Sequence, residues 1–99
     1  MLTYAITAHI TGAPGQASAW AHQLAALVRA KTGVTVNVSA RLGGPREIMW
    51  ICQYQDFPAF ERAQAILGAD AAYEAMVRAA ADASLFDPLS IDTAFWMPL

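Results

Sequence analysis

Residues 46–55 (REIMWICQYQ) carry large apolar side chains on both alternating sets of positions, with Trp50, Cys52 and Tyr54 on one and Met49 and Ile51 on the other. Alternation makes this a β-strand, and apolar residues on both sides make it a strand that has to be covered on two faces. No other feature restricts the fold as much. The 99 residues that must supply the cover amount to one small domain, spanning residues 1–99.

The rest of the chain reads as a short set of elements. Residues 2–11 alternate, with Leu2, Tyr4, Ile6, Ala8 and Ile10 opposed to Thr3, Ala5, Thr7, His9 and Thr11, which predicts a strand with one apolar face. Gly12, Pro14 and Gly15 break it. From Gln16 to Thr32 the large apolar residues Trp20, Leu24, Leu27 and Val28 follow helical spacing, Arg29 and Lys31 suit the negative end of the helix dipole, and Gly33 supplies the left-handed terminator. Residues 34–42 alternate again, and the Gly43-Gly44-Pro45 turn joins them to 46–55 as a hairpin. Asp56 is placed to cap a second helix, with Pro58 in its first turn. Gly68 and Asp70 divide that helix or bend it, Asp87-Pro88 ends it, and 89–97 predicts a last strand, with Leu89, Ile91 and Phe95 opposed to Ser90, Asp92 and Trp96.

The order is βαββαβ, the split-βαβ or ferredoxin-like α+β arrangement, a four-stranded antiparallel sheet with the helices on one face. Strands one and three are central in it, and nothing in one chain is left to cover the second face of strand three. A second copy is therefore expected to close it, giving a homodimer and a dimeric α+β barrel. Composition leads to the same expectation. Charged residues are 14% of the chain against about 25% in an ordinary domain, and three Trp, three Tyr and four Phe have to be hidden, although 22 alanines add little area.

The opening strand, the Ala13-Pro14-Gly15-Gln16 approach to the first helix and the Gly-Gly turn belong to a wider pattern. So do the strand Met49–Tyr54 running into Asp56-Phe57-Pro58-Ala59-Phe60-Glu61, and the segment Leu67-Gly68-Ala69-Asp70-Ala71-Ala72-Tyr73. Together they resemble the small dimeric α+β-barrel proteins, and among them the NIPSNAP-like and stress-responsive members. The resemblance covers nearly the whole chain and rests on turns and aromatics. It implies a dimer whose sheets face each other, with any ligand held between a sheet and its helices or inside the barrel. The superfamily includes cofactor-free monooxygenases and haem-degrading enzymes, which carry a histidine on the second helix. Residues 57–86 here contain none, and Gln53 stands where many of those enzymes have glutamate, so no catalytic residue is carried over.

Thr7, His9, Asn37, Arg41, Gln53, Asp92 and Trp96 fall on one inferred sheet face, a polar set with an aromatic wall that suits either a small-molecule pocket or the dimer contact, with Arg41 and Asp92 pairing across it. His9 is the one group there that titrates near neutrality, and it is the only candidate for proton transfer if the protein is an enzyme. His22 is expected in solvent, while Cys52, Trp50 and Trp20 are expected in the core. No phosphate loop or dinucleotide fingerprint occurs and the two histidines lack ligand spacing, so neither a cofactor nor a metal is expected. Lys31 and five scattered arginines give no basic stripe for nucleic acid, and no apolar run is long enough for a membrane. Residues 2–16 lack a basic signal region, and the reading is cytoplasmic. Two functions fit: a non-catalytic barrel that binds a small apolar ligand, or a cofactor-independent monooxygenase, isomerase or cyclase on a small aromatic or apolar substrate.

Overall fold

The computed structural model describes all 99 residues, Met1–Leu99. The strands are β1 (Leu2–His9), β2 (Val36–Ala40), β3 (Glu47–Tyr54) and β4 (Asp92–Trp96), and the helices α1 (Pro14–Thr32), α2 (Phe57–Gly68) and α3 (Ala71–Asp82). Every strand pairing is antiparallel, in the order β2-β3-β1-β4, so β1 and β3 are central. This is the expected ferredoxin-like α+β fold. The molecule measures 35 × 35 × 21 Å, which leaves room for one sheet and one layer of helices.

Local signals set most element ends. Gly33, at φ 76°, closes α1 and donates its N–H to the Arg29 carbonyl. Asp56 accepts from Ala59 N at the start of α2, and Asp70 from Tyr73 N at the start of α3, so the predicted break is two capped helices. Lys31 reaches the same Asp70 carboxylate at 3.0 Å and ties the end of α1 to the start of α3.

The strands are shorter than the alternation predicts. β2 begins at Val36 because Val34 N–H is taken by the Thr32 hydroxyl. Residues 88–90 form a 3-10 turn in place of strand, with the Asp87 carboxylate capping Leu89 N, and Leu89 ends 95% exposed. Pro88 cannot donate to a ladder, and it suits the first turn of a helix. β1 continues past His9 only as a single bridge from Ile10 to Phe86.

The contact between α1 and the sheet differs from the one its large residues suggest. Ala17 and Ala21 are fully buried, while Trp20 and Leu24 are half-buried beside them. Small side chains let this stripe of the helix close on the sheet, so the bulkier neighbours are displaced to its flank. The main core joins Ala17 and Ala21 to Ala8, Ile48, Trp50, Ala80 and Leu85, and a second cluster holds Leu2, Cys52, Tyr54 and Ala63. Gly12 is held by backbone contact with the segment after α3: a Cβ there would lie 3.0 Å from Leu85 Cα.

Candidate ligand-binding site

Alternation of β3 divides its residues cleanly. Ile48, Trp50, Cys52 and Tyr54 are buried on the helix side, and Glu47, Met49, Ile51 and Gln53 lie on the open side. Cross-strand register then fixes the open face row by row. Gln53, Thr3 and Trp96 form one row, Asn37, Ile51, Ala5 and Ala94 the next, and Ser39, Met49, Thr7 and Asp92 the third. Arg41, just beyond β2, and the Glu47–His9 pair complete the end.

The seven residues singled out from the sequence therefore share this face, but they do not converge. Thr7 is opposite Asp92, Trp96 is at the far end from His9, and Asn37 and Gln53 lie exposed towards the β2 side. Arg41 and Asp92 sit on opposite edges of one sheet, three strand spacings or roughly 14 Å apart. Within the chain the carboxylate beside Arg41 is Glu47, at 3.9 Å, and the same carboxylate receives His9 Nε2 at 2.7 Å. Glu47 was not singled out from the sequence. Its phase with Met49, Ile51 and Gln53 put it on this face, but only the register with β1 sets it against His9.

A half-open space lies on the other side of the sheet. A chamber of about 230 Å³ separates β1 and β3 from the helices, walled by Trp20 and Leu24 of α1, Tyr4 of β1, Cys52 and Tyr54 of β3 and Val77 of α3. None of the seven open-face residues lines it. No charged side chain does either, and the Gln64 amide is the one lining group outside the apolar and aromatic set. The aromatic rings are fixed by one another: Trp20 meets Trp50 edge-on at 6.2 Å, and each lies 5.5 Å from Phe86. Trp20 is further held by its indole N–H, which donates to the Met76 carbonyl at 2.8 Å.

The ionisable groups of the chamber are neutral near pH 7. Burial pushes the phenols of Tyr4, Tyr54 and Tyr73 and the Cys52 thiol above their ordinary ranges, and the neighbouring Cys52 adds to the effect at Tyr54 and Tyr73. The chamber thus offers shape, apolar surface and neutral hydroxyls, with no ready base. One donor is left over: Trp50 Nε1 is buried with no acceptor in the chain. It is sealed behind its neighbours in this conformation, at a cost of about 1–3 kcal/mol for the unmade bond. The sequence places Trp20 in the core and Leu24 on the apolar stripe of its helix, and a hydrophobic stripe cannot distinguish a filled contact from a chamber wall.

No helix of the chain is long and apolar enough to cross a membrane. No protein-family model matches the sequence, and no curated protein resembles it. Solved structures do. A NIPSNAP domain protein from Burkholderia xenovorans superposes with a TM-score of 0.81 at 14% identity, over 100% of this chain and 95% of that one. A NIPSNAP family protein from Agrobacterium tumefaciens gives 0.81 at 12% identity, over 99% and 92%. SnoaB, a cofactor-independent oxygenase from Streptomyces nogalater, gives 0.75 at 16% identity, again over 99% and 92%. At these identities the likeness is one of fold: the chain shares the ferredoxin-like α+β arrangement with NIPSNAP domain proteins and with SnoaB.

Proposed function

We propose that this protein binds a small, apolar, uncharged molecule in the chamber between its sheet and its helices. The observation that carries the reading is the chamber itself, about 230 Å³ walled by aromatic and aliphatic side chains with no charge among them. Such a site gains from removing apolar ligand surface from water and rejects ionised groups, which would be desolvated without a partner. A saturable rise in fluorescence of the neutral probe N-phenyl-1-naphthylamine, at one site per chain, is the expected result. Leu24→Trp, which fills the chamber from a half-buried helix position, should weaken that binding by at least about tenfold while circular dichroism stays that of the parent. A folded Leu24→Trp protein that binds as the parent does would sink the reading.

A second reading, cofactor-independent oxygenation of an aromatic or apolar substrate, draws support from the likeness to SnoaB. It would use the same chamber, but His9 lies on the opposite face of the sheet and is poorly placed to act there as base. Oxygen uptake in the binding mixtures would favour this reading over simple binding.

The open face is proposed as the contact with a second copy of the chain. The chain exposes 6300 Å², whereas a folded monomer of its mass exposes about 5,500 Å². The surplus matches the ~800 Å² that each partner buries in a standard interface. Met49 and Ile51 lie half-buried on this face and would be the apolar centre of the contact, with Trp96, 65% exposed, at its β4 edge.

A further inference from the structure

The inner chamber does not end at its aromatic wall. A second cavity, of about 450 Å³, lies between α3, the 3-10 turn and the end of β1, and Trp20, Val77, Phe86 and Ile91 line both spaces. Those four residues form the boundary between the chamber, or inner room, and this second, outer room, both of them about half open to solvent. The two rooms differ in chemistry. The inner one holds no charge, while the outer one adds Thr11, Ser84 and Asp87, whose carboxylate is the only charged side chain on its wall. No cation lines either room.

The polar groups of the outer room are held in place by the fold. Asp87 donates its backbone N–H to the His9 carbonyl, and one carboxylate oxygen caps Leu89 N. The Ser90 hydroxyl donates to the Asp87 carbonyl and in turn accepts the His9 N–H. The Thr11 hydroxyl donates to the Ser84 carbonyl at 2.8 Å. Asp87 is thus pinned at the mouth with its second oxygen uncommitted. A negative charge fixed on an otherwise uncharged wall repels an anion and tolerates or attracts a neutral or positive group.

We infer that the two rooms form one continuous site for an elongated amphiphile, its apolar end in the inner chamber and a neutral or cationic polar end beside Asp87. A compact apolar molecule would fill the inner room alone and make no use of the polar mouth. A fatty-acid-like anion would bring its carboxylate to the one place where the site carries negative charge. This inference rests on the binding reading above and goes further by naming the ligand's shape and charge.

Displacement of N-phenyl-1-naphthylamine by decan-1-ol, decylammonium and decanoate tests it, all below their micelle-forming concentrations and at neutral pH. Decanoate should compete at least about tenfold more weakly than the other two, as expected for a like charge placed within several ångströms. Asp87→Asn keeps an oxygen to cap Leu89 N and removes the charge, so it should bring decanoate to within about twofold of decanol. Val77→Trp, at an exposed threshold position, should slow displacement by all three chains and leave the fold intact. Equal competition by decanoate and decanol in the parent, or a preference that Asp87→Asn leaves unchanged, overturns the inference. Probe binding that survives in those cases leaves the chamber reading standing, and a parent that never binds the probe defeats that reading instead.

Discussion

At the scale of single residues, burial settles which groups of this protein can do acid–base chemistry. Tyr4, Cys52, Tyr54 and Tyr73 are all raised above their ordinary values, chiefly by desolvation. A group that holds its proton more tightly folded than unfolded contributes stability that is complete below its unfolded pKa. That stability is lost as pH rises through the folded one. The unfolded values lie near 9 for the thiol and 10 for the phenols. The urea midpoint should therefore hold near neutrality and fall steeply from about pH 9 upward. Tyr54→Phe should make that alkaline fall shallower, and an unchanged slope would mean that Tyr54 titrates in place without unfolding the chain. Asp70 runs the other way. The Tyr73 backbone N–H and then Lys31 hold its carboxyl low, so its contribution is present above the ordinary carboxylate range and is lost as acid protonates it.

At the scale of elements, the alanine stripe of α1 shows how small residues set a distance. Ala17 and Ala21 are 0% exposed, and their lack of bulk brings the helix down on the sheet next to Ala8 and Ile48. Ala21→Leu forces extra methylenes into that contact and should cost about 1–3 kcal/mol in urea unfolding. Ala26→Leu, on the exposed side of the same helix, should stay within about 0.5 kcal/mol of the parent. Equal effects at the two sites would show that α1 is free to lift from the sheet. The same geometry shapes the chamber: where α1 offers alanine it closes on the strands, and Trp20 and Leu24 on its flank are left to wall the space.

At the scale of the whole molecule, a two-layer slab with apolar residues on its bare face makes assembly the central question. Sedimentation equilibrium at micromolar concentration should return close to twice the chain mass of 10.6 kDa. Thr7→Glu is the sharper test. Thr7 is half-buried between Met49 and Asp92, so a glutamate there would enter a desolvated contact next to another carboxylate. It should shift the protein to monomer by at least about a hundredfold in dissociation constant, the scale of unpaired buried charge. A parent that sediments as a monomer, or a Thr7→Glu variant as dimeric as the parent, would mean the open face is wet.

The order of elements, the two faces of every central strand and the capping of all three breaks were legible in the residues themselves, because period-2 and helical spacing, Gly33, Asp56 and Asp70 act within a few positions of where they stand. So was the co-facial set of Thr7, His9, Asn37, Arg41, Gln53, Asp92 and Trp96, since alternation alone assigns a side of the sheet. What the fold decided is which of those residues meet. The β1–β3 register puts Glu47 against His9, and strand order sets Arg41 and Asp92 on opposite edges of one chain's sheet, where only a second copy could bring them together. The chamber was beyond reach of the sequence for a physical reason. Its walls come from β1, β2, β3 and all three helices, with Phe86 and Ile91 from the segments beyond α3, and its volume is the gap left when alanines fix how closely one layer approaches the other, a distance that no local pattern encodes.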